Sequence, residues 1–210
     1  MKIAVVGAAG MAGSRIVAEA AQRGHDPVAV FRNGRPGTLP PGVVAVRGDA
    51  SDRSQMSEVF AGADAVVAAT RPAPGQERTV AATTRAMLDA AAGHGIRILV
   101  VGGAAPLRSP GDPDRLVLDD PEYVPESIRT IASASVVQLE VCRDHPADWV
   151  YLSPPALLEP GARTGTYRRA TTTLLVDAAG RSRISAEDLA VAVLDELETP
   201  EVARHFTVGY

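Results

Sequence analysis

The chain has 210 residues, of which 46% are hydrophobic and 4% aromatic, enough for one aliphatic, alanine-rich core. A net charge of −4 and a pI of about 5.6 exclude the basic footprint of a nucleic-acid-binding protein. The single cysteine, Cys142, excludes an internal disulfide and suits a reducing compartment, and no run reaches the roughly 18 apolar residues of a membrane span, so a cytoplasmic protein with neither membrane nor nucleic-acid partners is expected.

The chain opens with an apolar run at 3–6 that breaks into Gly7-Ala8-Ala9-Gly10-Met11-Ala12-Gly13 and continues as a helix-compatible stretch over 14–23. The run is too short for the apolar region of a secretory leader. Strand, tight turn and helix in this order open a dinucleotide-binding unit. Gly7 can adopt the angles of a sharp turn, Gly10 puts no side chain in the way of a pyrophosphate, and Gly13 lets helix and strand pack closely. The free N–H groups and positive dipole end of the helix then face the phosphates, with Ala9 and Met11 in the cradle.

Apolar runs at 27–31, 43–46, 65–68, 96–101 and 149–152 are expected as further buried strands, with a final strand opening at His205. Helical patterns lie between them. Over 77–92, Val80, Thr84, Met87 and Ala91 share a face. Over 126–143, Ile128, Ile131, Ala132, Ser135, Leu139 and Cys142 do, as do Leu189, Ala190, Val193, Leu194 and Leu197 over 186–197. Pro125 suits a helix start, and Ser185 with Asp188 resembles a capping box. The alternation predicts an α/β fold: one doubly wound, mostly parallel Rossmann sheet with helices on both faces, a single domain over 1–210. Ligands of such sheets sit at the strand C-termini. The long stretches 104–124 and 153–173 follow predicted strands and are the expected walls of a small-molecule substrate site. A complete sheet in one short chain slightly favours a monomer over a homodimer.

Strand two ends Val30-Phe31-Arg32-Asn33. NAD-type folds place a carboxylate near this point for the ribose 2′-hydroxyl. Here Arg32 stands there, and Asp26 lies before the strand, at its wrong end. A guanidinium pairs with a 2′-phosphate that a carboxylate would repel, so NADP(H) is favoured over NAD(H), with Arg15 and Arg35 as assistants. After strand three, Asp49 suits the adenine amino group and Ala50 leaves room for the ring. Alternatively Asp49 caps the next turn, with Ser51 and Asp52 as rivals. Ala69 and Thr70, ending strand four, are expected to border the ribose.

With these residues placed, the chain resembles the atypical short-chain dehydrogenases/reductases, and among them the small NAD(P)H-binding, NmrA-like and biliverdin reductase B-like (flavin reductase) group. The matching segments are Gly7–Gly13, Arg32-Asn33, Gly48-Asp49, 63–67, Val100-Val101-Gly102-Gly103-Ala104, Ser153-Pro154-Pro155-Ala156, 183–188 and 206–210. Ala9 stands where the family usually has Thr, which removes a local hydrogen bond and leaves the phosphate cradle intact. The resemblance implies cofactor contacts at Gly7, Gly10, Met11, Arg32, Asp49, Ala69 and Thr70. It further implies a nicotinamide pocket lined by Gly102, Gly103 and Ala104, with Pro154, Pro155 and Ala156 beside it.

Typical short-chain dehydrogenases use Tyr-x-x-x-Lys plus a Ser, the Lys lowering the Tyr pKa. Here Tyr123 is followed four residues later by Ser127, and strand five ends in Gly-Gly-Ala-Ala. Lys2, expected buried at the start of strand one, is the only lysine. The alcohol dehydrogenase route is therefore not expected. Hydride transfer to a conjugated acceptor (flavin, quinone, tetrapyrrole or enone) needs no protein nucleophile and is the leading expectation. Ser109, Tyr123 and Ser153 are the candidate hydroxyls, Tyr123 first among them. A cofactor-retaining epimerase, isomerase or dehydratase and a non-catalytic NAD(P)-binding redox sensor are the alternatives. The four histidines have no metal-site spacing, and no metal is expected. Arg168-Arg169 is a candidate pair for an acidic substrate.

Overall fold

The computed structural model describes residues 1–33 and 38–210. In chain order the elements are β1 (Lys2–Val6), α1 (Met11–Gln22), β2 (Asp26–Phe31), β3 (Val44–Arg47), α2 (Arg53–Phe60), β4 (Ala65–Ala68), α3 (Val80–His94), β5 (Arg97–Val101), β6 (Arg108–Ser109), β7 (Asp112–Leu116), α4 (Glu126–Arg143), β8 (Trp149–Ser153), β9 (Leu157–Glu159), β10 (Arg168–Ala170), β11 (Arg183–Ser185), α5 (Ala186–Glu198) and β12 (His205–Gly209). Among the described residues, eight strands form the main sheet in the order β10-β12-β8-β5-β4-β1-β2-β3. All pairs are parallel except β10 with β12. The chain winds outward from β1 to β3, then resumes at β4 on the other side of β1. The C-terminal ends of β1 and β4 thus flank the crevice at which such sheets bind ligands.

The two-residue period of the strands divides one sheet between two cores. Ile3, Val5, Leu99, Val101, Val150 and Leu152 face α1 and α5 through Ile16, Val17, Leu189 and Val193. Ala4, Val6, Ile98, Val100, Trp149 and Tyr151 face α2, α3 and α4 through Met56, Phe60, Met87 and Leu139. Covering both faces is why these strands are apolar runs rather than alternating ones, and each buried Val, Leu or Ile contributes about 1.5–3 kcal/mol. The helix ends are set locally: the Asp52 carboxylate accepts the Gln55 N–H at the start of α2, and Gly95 closes α3 in the left-handed region at φ 66°.

Several sequence expectations need correction. The run at 43–46 forms β3, but as an edge strand beside β2, and Val44 is exposed rather than buried. Ile128 is also exposed, at the start of α4, where the next residue, Arg129, holds the Leu118 carbonyl (2.7 Å) and Asp119. The 104–124 segment is a folded unit. It contains the β6–β7 pair, and its Leu107, Val117 and Val124 form a small core with Leu174 from outside it. The 153–173 stretch likewise carries β9, paired with β11, and β10. Among the described residues no helix is long and apolar enough to cross a membrane.

Candidate cofactor and active site

Backbone hydrogen bonds carry the sheet one step past its regular strands and align their ends. The Gly48 N–H donates to the Phe31 carbonyl, Ala69 N–H to Val6 and Gly102 N–H to Leu152, each at 2.9 Å. Gly7, Arg32, Asp49, Ala69, Thr70, Gly102, Gly103, Ala104 and Pro154 therefore follow strands whose C-terminal ends share one edge.

The glycine turn fits its expected task. Gly7 has φ 86°, and a Cβ there would lie 2.3 Å from the Ala69 carbonyl oxygen, so β1 and β4 approach each other through bare backbone. A Cβ on Gly13 would stand 2.2 Å from the Gly7 carbonyl oxygen. The close packing that Gly13 permits is thus of helix on turn. Gly10 is the N-cap of α1; it offers no capping side chain, and the first turn carries no acidic residue. The opening N–H groups of α1, including Met11, consequently have no partner within the helix. By contrast, Asp52 and Ser185 cap α2 and α5. An uncapped, glycine-lined helix start beside the β1–β4 crevice fits a pyrophosphate.

At the ends of β2 and β3, Arg32 and Asn33 are exposed and Asp49 and Ala50 half-buried. The structure shows Asp49 in a local turn. Its Oδ1 accepts the Ser51 N–H (2.9 Å) and hydroxyl (2.7 Å), while Asp52 caps α2. The Ser51 hydrogen bonds, and behind them the Arg32 charge, hold the Asp49 carboxyl below its ordinary range. Arg32 and Asp49 are thus electrostatic neighbours at the site edge. Arg15 does not join them: its Nε donates to Glu187 at 3.0 Å, turning the side chain toward α5. Arg35 lies outside the described residues.

At the end of β5, Gly102, Gly103 and Ala104 are half-buried. A Cβ on Gly102 would fall 1.9 Å from the Tyr151 hydroxyl, and one on Gly103 would be 3.0 Å from both Cβ and Oγ of Ser135. The buried Tyr151 hydroxyl stands 2.9 Å from the Ser135 carbonyl, to which it donates, and 3.2 Å from Gln138 Oε1. Burial raises its pKa far above the ordinary tyrosine value, and the phenol fills the space between the glycine turn and α4. Neither Tyr151 nor Ser135 is singled out by sequence reasoning as a site residue. The only signal was the Gly-Gly pair, which needs a neighbour occupying the space of the missing side chains. After the neighbouring strand β8, Pro154 and Pro155 are buried and Ala156 is exposed.

A family model described as NAD(P)H-binding matches residues 7–200. The chain belongs to this NAD(P)H-binding family. It is 37% identical to the uncharacterized protein YwnB of Bacillus subtilis over 204 residues, 96% of this chain and 94% of that protein. The fold is similar to that of a candidate epimerase from Bacteroides thetaiotaomicron, with 36% identity, a TM-score of 0.90 and coverage of 100% and 96% of the two chains. It is also similar to a candidate NADH-flavin reductase from Streptococcus pneumoniae, with 29% identity, a TM-score of 0.88 and coverage of 100% and 99%.

Within this NAD(P)H-binding fold the expected hydroxyls are placed differently from one another. Ser109 is buried and donates to Asp120 at 2.5 Å. Ser153 is fully buried, its Oγ paired with His205 Nε2 at 2.9 Å. Both are engaged in hydrogen bonds inside the protein. Tyr123 is half-buried beside the small core, and burial, with Glu122 and Asp120 adding to it, raises its pKa, the opposite of activation. Lys2 is half-buried, not buried, and its Nζ donates to the Ala61 carbonyl at the N-terminal end of the sheet, away from the site. Arg168 and Arg169 are also spoken for. Arg168 holds the Val176 and Tyr210 carbonyls, and Arg169 pairs with Glu196 at 2.7 Å while its guanidinium lies 3.7 Å from the Phe206 ring centre.

Proposed function

We propose that the protein is an NADPH-dependent reductase of small conjugated acceptors, of the flavin, quinone or enone kind. The observation that carries this reading is the row of strand ends just described, with an uncapped glycine turn at the β1–β4 crevice and Arg32, rather than a carboxylate, ending β2. The opening N–H groups of α1 hold the pyrophosphate and the Arg32 guanidinium pairs with the 2′-phosphate. Asp49 accepts from the adenine amino group through the oxygen that Ser51 leaves available, with Ala50 against the ring. Ala69 and Thr70 border the ribose, and Gly102, Gly103, Ala104, Pro154 and Ala156 frame the nicotinamide. Bound NADPH supplies a hydride which, with one proton from water, reduces the acceptor by two electrons. The alcohol dehydrogenase route lacks its activating cation, because Lys2 sits at the opposite end of the sheet and Tyr123 is pushed up in pKa. The likeness to a candidate NADH-flavin reductase supports the acceptor class.

The test is NADPH consumption by the purified protein with a flavin, a quinone and an enone in turn. Oxidation with at least one of them is expected. Tight NADPH binding without oxidation by any acceptor would contradict the reading. Turnover of a substrate with no net NADPH consumption would transfer the assignment to the epimerase class of the Bacteroides neighbour.

A further inference from the structure

We infer that Ser135, on α4, is the catalytic hydroxyl of this site, donating a hydrogen bond to the acceptor atom that becomes negatively charged during reduction. The inference rests on the reductase reading and deepens it. Strand β5 runs out through Gly102-Gly103-Ala104-Ala105, which carries no polar side chain. The space that a side chain on Gly103 would fill is taken instead by Ser135, whose Cβ and Oγ both stand 3.0 Å from the Cβ position of residue 103. A hydroxyl is thereby delivered to the β5 end by the helix that crosses it.

Three further features fit the role. Ser135 is half-buried, so it retains solvent-facing surface, whereas Ser109 and Ser153 are buried and committed to Asp120 and His205. Its backbone is fixed, because its carbonyl accepts the Tyr151 hydroxyl, which itself fills the space beside Gly102. The turn and the hydroxyl above it are therefore held as one unit, the preorganisation that makes a donor useful in a transition state. Finally, Oγ donates to the Ala132 carbonyl at 2.7 Å. That oxygen also serves the helix ladder, so rotating the hydroxyl toward a ligand leaves no backbone group unpaired.

The chemistry balances without proton loss from serine. The acceptor gains a hydride with its electron pair, and negative charge appears on its conjugated oxygen or nitrogen. The Ser135 O–H donates to that atom, water delivers the proton, and Ser135 ends as it began.

The test compares the unsubstituted protein with Ser135→Ala, using menadione as acceptor. Turnover is expected to fall about ten-fold or more, with NADPH affinity and thermal midpoint unchanged. The carbonyl stretch of bound menadione, read by infrared difference spectroscopy, should move toward its free value. A second variant, Ser135→Thr, keeps the hydroxyl on the same helix position and should retain most of the turnover. Turnover and carbonyl stretch that Ser135→Ala leaves unchanged would overturn the role. A loss that Ser135→Thr shares in full would assign it to the packing of α4 and overturn the role as well. No NADPH oxidation by the unsubstituted protein with any acceptor would instead sink the reductase reading, and this role with it.

Discussion

His205 shows how a residue with no place in the chemistry sets a property of the fold. It lies on β12 opposite Tyr151, its ring edge-on to the tyrosine at 5.5 Å, with Nε2 on the Ser153 hydroxyl and Nδ1 buried without a partner. Burial, and then the Arg143 charge, push its pKa from 6.5 down to about 4. The folded protein therefore holds the ring neutral, while the unfolded chain binds a proton below about 6.5. Keeping the ring unprotonated therefore costs nothing above that pH, and stability falls as pH drops from 6.5 toward 4, by at most about 1.4 kcal/mol per pH unit. Urea midpoints measured across this window should fall less steeply for His205→Gln than for the unsubstituted protein. At the site the same scale governs. The glycines at 7, 10 and 13 were legible because each answers a local backbone demand. Arg15 was not, because its partner Glu187 lies 172 residues away.

Between elements, the start of α5 joins segments that the sequence keeps apart. Ser185 accepts the Asp188 N–H at 3.0 Å, which is half of the expected capping box. The Asp188 side chain does not return the bond. It is fully buried and accepts the Thr164 and Gly165 N–H groups at 2.8 Å and the Thr164 and Tyr210 hydroxyls at 2.6 Å. Tyr210 completes the cap by accepting the Ser185 N–H at 3.2 Å. Burial alone would raise the Asp188 pKa, but the Thr164, Tyr210 and Gly165 donors outweigh it and keep the group a carboxylate. Asp188→Asn turns an amide nitrogen toward donors and should lower stability by about 2 kcal/mol or more, read from the urea midpoint. The central strands were legible because burial on both faces leaves plain apolar runs. Helix α2 was not, since it buries only Met56 and Phe60, too few for a periodic signal. Strand β7, Asp112–Leu116, is polar and half-exposed to exposed throughout, so nothing in its pattern reads as a strand. Ser135 was legible as a member of a helix face. Its position over Gly103 depends on how α4 crosses the β5 turn, which no local pattern encodes.

At the scale of the whole molecule, one topological fact organises the rest. The strand order reverses at β1, and the C-terminal ends of β1, β2, β3, β4, β5 and β8 lie on one edge, so residues from position 7 to position 156 come to that edge. The other end of the fold is locked by charge. Glu19, nearly buried, accepts from Arg23 at 2.8 Å and from Arg163 at 2.7 Å, and Arg23 reaches on to Asp195 and Glu198 of α5. The ligand edge is thus carried on a frame tied at its far end. The most direct test of the account is a fluorescence titration of the protein, and of Arg32→Ala, with NADPH and with NADH. NADPH should bind more tightly than NADH, and Arg32→Ala should weaken NADPH about ten-fold or more while leaving NADH unchanged, as expected for one lost charge-assisted contact. Binding of neither nucleotide, or NADPH affinity indifferent to Arg32, would contradict it.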